Sequence, residues 1–386
     1  MSPRLRSALV ALVGLVALAA AADRVATGPE VLKPRDFLEY WSAGAVAARG
    51  GNPYDPAELL AWQQVAEPGR DAAVMMWNPP WALAVYLPLG LLPPRWALLL
   101  WVAGQLAAVA GSCVLLWRVY GGPPRLWWVA AAGGLTFAPV VWAVHFGQNT
   151  GLLLLGLAGF VHSRKAGRPA LAGACAALTA LKPHLLAVFG VLLVVDAVSA
   201  RGRVALAAGA AVLAAALGAV LLANPHVIDQ YRHAVRDPGP DAVALDQWVL
   251  PIASYWLRVA VGGGFWVQFV PCAAACAAFA LYRIRCGPRW DWAAELPRVV
   301  WVSVLATPYG GWVFDLTVLL VPLVAAAARV GRDRRLALGI GLAAGHLAVT
   351  AGSLAWPFSA LGFFWVAPAA LLLVLAARLR PRHSLP

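Results

Sequence analysis

Long apolar runs recur along almost the whole chain and are separated by short polar segments. A run of about 20 apolar residues is long enough to cross a bilayer as a helix. Several runs are shorter and are broken by proline, which is typical of helices that border a hydrated cavity. The pattern therefore predicts an all-α, polytopic membrane protein, a single transmembrane domain over residues 1–386 with about 12 transmembrane helices. The runs cover approximately residues 4–22, 77–117, 126–144, 150–163, 169–181, 184–200, 203–223, 257–282, 297–307, 312–328, 336–355 and 358–377.

The first run, residues 4–22, fits either a first spanning helix or a cleavable signal. We expect a retained helix, because a polytopic protein needs no cleavage. Residues 23–76 then form an outer loop that holds eight of the chain's 17 acidic residues. Its central FLEYWSAGAVAARGG segment predicts a short amphipathic helix that ends at Gly50 and Gly51, and NPYD at residues 52–55 predicts a turn.

The charged residues indicate how the chain crosses the membrane. A composition of 62% hydrophobic and 12% charged residues excludes a soluble globular protein, in which about a quarter of the residues are charged. The formal charge of +13 comes from short arginine clusters between apolar runs, so we interpret it as a topology signal and expect no nucleic-acid partner. Basic loops stay in the cytoplasm, which predicts that residues 164–168, 201–203, 283–289, 329–335 and 378–382 are cytoplasmic.

The same alternation places the FGQN, LKPH and TPYGG segments and the loop 224–256 on the outer side, together with residues 23–76. We therefore expect an outer-face cavity bordered by these segments. One inconsistency remains, because two full crossings between residues 77 and 117 would leave the loop with Arg118 and Arg125 outside. Either that loop breaks the positive-inside rule or residues 77–93 do not fully span.

A few polar residues interrupt the apolar runs, where they are costly without a partner or a function. Lys182 in LKPH predicts either an anionic ligand such as a lipid-linked phosphate, or a side chain that extends to the membrane interface. His184 is compatible with both hypotheses. Asp315 follows TPYGG and either has a functional role or pairs with a neighbouring Arg or Trp N–H group.

Two further polar sets have alternative interpretations. His145, Gln148 and Asn149 lie at the FGQN break, where they either line the cavity or satisfy freed backbone groups. In the loop 224–256, Arg232 lies among other cations, tyrosines and tryptophans. That combination suits phosphates and sugar faces, and it also suits the aromatic belt of a membrane interface.

Five motifs occur in a distinctive order: YW with GGNPYDP, WNPPWALAVYLPLGLLPP, FGQNTGLLLLGLA, AGACAALTALKPHLL and ATPYGGWVFDL. Over about residues 34–330 this ordered set resembles the membrane glycosyltransferases of family 87, which have the GT-C fold. The resemblance implies a polyprenyl-phosphate-linked sugar donor with mannose as the sugar, and a lipid or glycan acceptor hydroxyl at the outer face. One difference is that some mannosyltransferase members have a histidine in the last motif, where this sequence has Asp315.

The resemblance also implies that Asp36 is the catalytic base of an inverting transfer. A base is needed because an alcohol is a poor nucleophile at neutral pH. Asp36 and Glu39 are three residues apart on one face of a predicted helix, so by spacing alone either could be the base while the other orients it. Alternatively, Asp36 only caps the helix.

We expect no cofactor and no metal, because the sequence contains no dinucleotide-binding or phosphate-loop motif and no ligand spacing among its His and Cys residues. The expected location is the plasma or inner membrane, with membrane lipids as partners and the site on the extracytoplasmic side. A lipid or small-solute transporter or flippase is the alternative. The candidate residues are Asp36 and Glu39 for catalysis; Lys182, His184 and Arg232 for the donor phosphate; and Tyr40, Trp41, Asn78, His145, Gln148, Asn149, Tyr309 and Asp315 for the substrate cavity.

Overall fold

The described part of the chain is entirely helical, which confirms the all-α prediction. The computed structural model describes residues 35–237, 249–250, 252–355 and 361–378, and these segments contain no β-strand. The first apolar run, residues 4–22, lies outside them, so its retention as a helix stays a prediction. The α-helices are α1 (Arg35–Ala47), α2 (Pro56–Ala66), α3 (Leu83–Gly90), α4 (Pro94–Val119), α5 (Trp127–Leu135), α6 (Ala138–Phe146), α7 (Thr150–Lys165), α8 (Pro169–Ala176), α9 (Ala187–Asp196), α10 (Ala200–Ala223), α11 (Val227–Arg236), α12 (Ala253–Val261), α13 (Phe269–Cys286), α14 (Trp292–Leu305), α15 (Leu320–Arg332), α16 (Leu336–Ala355) and α17 (Val366–Arg378).

Within the described segments, five helical stretches are long and apolar enough to cross a membrane: Pro94–Val119, Ala200–Ala223, Phe265–Arg289, Val313–Arg332 and Leu336–Ala355. A sixth would be α5, with the short turn before it, joined to α6 across a bend of 55°. Other apolar helices, such as α8 and α9, are shorter than the ~20 residues of a full span. Helix lengths thus support a membrane protein but do not confirm 12 spanning helices.

The stretch Pro80–Gly90 bears on the inconsistency near Arg118 and Arg125. It is a short apolar helix with Pro88 inside it. Eleven helical residues rise only about 16 Å, roughly half of the hydrocarbon thickness. The length therefore favours the alternative in which residues 77–93 do not fully span.

Helix α1 is buried on all sides, whereas the sequence predicts an amphipathic helix. Residues 37–47 are all buried. A Cβ atom at Gly44 would lie 2.2 Å from the Tyr86 carbonyl oxygen, and one at Gly90 would lie 2.1 Å from the Ala45 nitrogen. Helices α1 and α3 therefore touch backbone to backbone at these glycines. The polar face of α1, which includes Glu39, becomes part of the interior.

Helix α7 lies in the middle of the bundle and contacts α4 and α8, together with the buried 3-10 helix Val313–Leu319. Its two ends differ in chemistry. The polar pair Gln148 and Asn149 precedes the first turn, and Arg164 and Lys165 lie in the last turn. About 21 Å of helix separates these ends, so α7 connects two distinct faces of the bundle.

An ionic network holds together the face at the C-terminal end of α7. The Asp196 carboxylate, at the end of α9, accepts hydrogen bonds from Arg164 of α7 at 3.0 Å, Arg283 of α13 at 2.7 Å and the Trp292 indole of α14 at 3.1 Å. A buried carboxylate is tolerated when its oxygens are paired in this way. The network therefore fixes four helix ends on the face that carries the basic loops.

Candidate active site

A cavity of about 390 Å³ lies at the other face, beyond the N-terminal end of α7. It forms where several helices end: the start of α1, the break between α6 and α7, the break after residue 181 and the segment that precedes Val313–Leu319. Helix ends expose unpaired backbone groups and permit polar side chains, so a site of this kind can be hydrated inside an apolar bundle. Its polar lining includes Arg35, Asp36, Glu39, Tyr40, Asn78, Gln148, Lys182, His184, Tyr231, Tyr309 and Asp315.

The break between α6 and α7 brings Gln148 to the start of α1. Gly147 ends α6 with a left-handed φ of 73°. A Cβ atom there would lie 2.5 Å from the Phe37 Cβ, so a glycine is required both by the backbone angle and by the approach of α1. The Trp101 indole donates to the Gly147 carbonyl at 2.7 Å, which satisfies a group freed by the break.

The second break places Lys182 in the cavity. The 3-10 helix Ala177–Leu181 ends directly before it, and Pro183 follows, as the sequence predicts. The freed carbonyls of this turn are satisfied from the WNPPW segment: the Asn78 amide donates to the Leu181 oxygen at 2.9 Å, and the Trp81 indole donates to the Ala180 oxygen at 2.8 Å. Asn78 therefore holds this turn in addition to lining the cavity.

Five side chains from four segments form a continuous polar network. The Lys182 ammonium makes an ion pair of 2.7 Å with Asp315 and donates to Gln148 Oε1, also at 2.7 Å. Gln148 Oε1 accepts a second bond, of 3.0 Å, from the Tyr40 hydroxyl, and Gln148 Nε2 donates to Asp36 Oδ2. The Lys182 side chain thus turns inward, and its charge is compensated by a neighbouring carboxylate.

The two acids of α1 differ in their surroundings. Burial raises the pKa of the Asp36 carboxyl, while the Gln148 hydrogen bond and the Lys182 charge oppose that effect. Burial and the neighbouring Asp36 charge raise the pKa of Glu39 well above its ordinary value, against a weaker lowering by Lys182 and the Trp77 backbone N–H. Glu39 therefore holds its proton to higher pH than an exposed glutamate, and the charged form of Asp36 is supported by the Gln148 side chain.

His184 faces the cavity in its neutral form. Its ring stacks on Tyr309 with ring centroids 4.3 Å apart, and Gly310 leaves room for it, since a Cβ there would lie 2.6 Å from His184 Nε2. Burial, with a smaller repulsion from Lys182, lowers the pKa of His184 to about 3. A neutral imidazole gives a phosphate no positive charge, so His184 can contribute a hydrogen bond only.

Four other candidate residues do not line the cavity. Arg232 is exposed and pairs with Asp229 on its own helix at 3.2 Å; Tyr231 and Val235 of α11 face the cavity instead. Trp41 is buried and donates to the Leu92 carbonyl at 2.9 Å. The Asn149 amide donates to the Tyr86 hydroxyl at 2.7 Å, and His145 packs edge-on against Trp142 and Phe146.

Several residues of the lining were not among the candidates predicted from the sequence. Arg35 adjoins Asp36, and its charge lowers the pKa of that carboxyl slightly. Trp77, Trp312 and Phe314 supply aromatic surface. Their positions inside WNPPW and TPYGGWVFD are the signal that could have identified them. In the part of the chain that the structure describes, no group of three or more His, Cys, Asp or Glu side chains could hold a metal ion.

Comparison with known proteins identifies the family. The family model described as glycosyltransferase family 87 matches residues 77–308, which is more than half of the chain and includes Gln148 and Lys182. No curated protein and no solved structure gave a match. The match confirms the resemblance seen in the motifs, and the long apolar helices fit the membrane setting of the family. The chain therefore belongs to glycosyltransferase family 87 and is a membrane glycosyltransferase.

Proposed function

We propose that this enzyme transfers a hexose from a polyprenyl-phosphate-linked donor to an acceptor hydroxyl with inversion, and that Asp36 is the general base. The observation that carries the proposal is the meeting of Asp36, Gln148, Lys182 and Asp315 in one cavity at an end of the bundle. The cavity supplies a carboxylate to take a proton and an ammonium to face a phosphate. Those are the two groups that such a transfer requires.

In the proposed reaction the acceptor oxygen attacks the anomeric carbon of the donor sugar. A carbon–oxygen bond to the acceptor forms, the bond from the anomeric carbon to the phosphate oxygen breaks, and the acceptor proton moves to Asp36. A single displacement inverts the anomeric configuration. Burial and the neighbouring Asp36 raise the pKa of Glu39, which favours its protonated form, and in that form Glu39 can donate a hydrogen bond to the acceptor.

Lys182 stabilises the leaving phosphate. The donor phosphate is a diester with one negative charge, and it leaves as a monoester with a charge of about −1.5 to −2 at neutral pH. The ammonium that faces the phosphate therefore interacts more strongly with the product-like charge than with the donor, which lowers the barrier. Asp315 holds this ammonium in place through the 2.7 Å ion pair.

The aromatic lining indicates how the sugars are held. Trp77, Trp312, Tyr231 and Phe314 border the cavity, and aromatic faces suit the apolar C–H faces of a hexose. We propose mannose as the transferred sugar and a lipid or glycan as the acceptor, as the family resemblance implies. A volume of about 390 Å³ is within the range of small-molecule sites.

The helices that pass from the cavity to the opposite face support an extracytoplasmic site in the plasma or inner membrane. Gln148 precedes α7 and Arg164 lies at its other end; Asp315 and Arg332 are similarly placed along the span Val313–Arg332. In both cases the basic residues lie far from the cavity, and basic loops stay in the cytoplasm.

Arg232 and Arg332 are both exposed and suit cysteine substitution in a background without the five native cysteines. An impermeant maleimide should label only the cysteine at position 232 in intact cells; labelling of both would refute this topology.

The decisive experiment uses the purified enzyme in lipid nanodiscs with radiolabelled polyprenyl-phosphate mannose or glucose and a panel of lipid and glycan acceptors. We expect labelled product without any nucleotide sugar, and we expect its anomeric configuration to be opposite to that of the donor. Transfer from a nucleotide sugar alone would refute the lipid-linked donor. Movement of the labelled lipid across a proteoliposome membrane without transfer would support the flippase alternative.

A further inference from the structure

Gln148 connects the proposed base to the proposed phosphate-binding cation. Its Oε1 accepts from Lys182 at 2.7 Å and from the Tyr40 hydroxyl at 3.0 Å, and its Nε2 donates to Asp36 Oδ2. Gln148 is buried, and its side chain borders the cavity.

The chemistry of its partners fixes the orientation of the Gln148 amide. An ammonium has hydrogen-bond donors only, so Lys182 must face the amide oxygen. The second acceptor position of that oxygen is taken by Tyr40. The NH2 group must then point to Asp36, because the reversed amide would direct its N–H groups at the ammonium. The amide is therefore held in one orientation by charge and not by packing alone.

The backbone at this position is equally constrained. Gly147 adopts its left-handed conformation against Phe37 of α1, and the Trp101 indole holds the Gly147 carbonyl. These contacts hold the backbone of Gln148 close to the first turn of α1. A loop with these restraints is suited to hold a catalytic carboxylate, since a misplacement of about 1 Å can cost about a hundredfold in rate.

We propose that Gln148 is a positioning residue, which holds Asp36 Oδ2 so that Oδ1 is the oxygen that takes the acceptor proton. The inference rests on the proposed function of Asp36 as the base. If Gln148 positions Asp36, the pKa of Asp36 should depend on Gln148. If Gln148 has only a structural role, that dependence is not expected. The hydrogen bond from Nε2 favours the charged carboxylate, so its loss should make Asp36 hold its proton to higher pH.

Two variants test this proposal. Gln148→Met removes the amide at nearly constant length, and Gln148→Glu keeps acceptor oxygens for Lys182 and Tyr40 but places a second carboxyl beside Asp36. The matched control is Gln105→Met, which removes another buried glutamine amide, in α4 and away from the cavity lining. All three enzymes are compared with the wild type as full-length protein in nanodiscs.

Two readouts are needed. The first is the pH dependence of kcat/KM for transfer; the second is an infrared titration of the protonated carboxyl band that disappears in Asp36→Asn. We expect Gln148→Met to move the acid limb and the infrared midpoint upward by about one to two pH units, the scale of one hydrogen bond to a charged group. Gln148→Glu should move both in the same direction through like-charge repulsion, and it covers the case in which Gln148→Met does not fold. Gln105→Met should match the wild type.

The possible results distinguish failure of the proposed positioning role of Gln148 from failure of the proposed transferase function. If the enzyme transfers sugar but both Gln148 variants keep the wild-type acid limb and infrared midpoint, Gln148 does not position the base. If the wild type transfers no sugar to any acceptor, the proposed function fails and the role of Gln148 fails with it. A shift of equal size in Gln105→Met would also overturn the proposal, since the effect would then follow from any buried amide.

Discussion

Replacing Asp36 with asparagine tests the central chemical assignment. Asp36→Asn keeps the size of the side chain but removes a base, because an amide takes no proton at neutral pH. The Gln148 amide would still find an oxygen acceptor where it now meets Asp36 Oδ2. Burial already disfavours the charged form of Asp36, so the neutral amide should not destabilise the fold. The variant is expected to express normally and unfold at a temperature equal to or slightly above that of the wild type.

The expected loss concerns the rate. General-base catalysis contributes about 10² to 10⁴ in rate, which corresponds to about 2.7 to 5.5 kcal/mol of activation free energy. We expect kcat to fall by that factor while the donor KM changes little, because Lys182 and Asp315 are untouched. The assay is transfer of radiolabelled sugar in nanodiscs, with intact mass measured to exclude deamidation back to aspartate.

A matched control comes from the same segment. Asp55 caps α2 by accepting from the backbone N–H groups of Ala57 and Glu58, and it lies outside the cavity lining. Since asparagine is an equally good cap, Asp55→Asn should transfer sugar at the wild-type rate. If Asp36→Asn also transfers at nearly the full rate, Asp36 is not the base.

Three further predictions address the cation, the second acid and the packing of α1. Removing both charges of the ion pair in a Lys182→Met, Asp315→Asn double variant should weaken donor use by about 1.5 to 3 kcal/mol, the scale of a charged hydrogen bond, when donor kcat/KM is measured. The folded state raises the pKa of Glu39, so protonated Glu39 stabilises the protein below its ordinary pKa of 4.5, and this stabilisation is lost as the pH rises through the folded-state pKa. Between those two pH values the Tm of the wild type should fall, and the Tm of Glu39→Gln should fall less steeply. Gly44→Ala should destabilise the protein by about 1 to 3 kcal/mol, seen as a lower Tm, because its Cβ would meet the Tyr86 carbonyl at 2.2 Å.

Each of these predictions has its own control. Single removal of Lys182 would leave Asp315 buried without its partner and confuse folding with donor binding, which is why both charges are removed. Unchanged donor kinetics in the double variant would refute the role of Lys182. An identical pH dependence of Tm in Glu39→Gln would show that Glu39 ionises normally. Gly104→Ala, with nothing within 4 Å of the new Cβ, should leave Tm unchanged or raise it.

The sequence by itself determined the all-α architecture and the positions of the chain breaks. Apolar runs specify helices because a backbone in lipid must satisfy its own hydrogen bonds. Polar segments such as FGQN and LKPH could be recognised because they stand out against such a background. The breaks before Gln148 and at Lys182 lie where the sequence predicts them, since glycine and proline act through local backbone geometry.

The tertiary structure decided which of those polar residues meet. The ion pair of Lys182 with Asp315 joins residues that are 133 positions apart, and no periodicity within one segment encodes such a pair. Tertiary packing buries α1 on all sides, although its sequence predicts an amphipathic helix, and this burial raises the pKa of Glu39. Likewise, the sequence marks Arg232 as a cation beside aromatics, but only the orientation of α11 turns it away from the cavity. Local sequence specifies where a helix begins and ends, whereas the direction of a side chain depends on what packs against that helix.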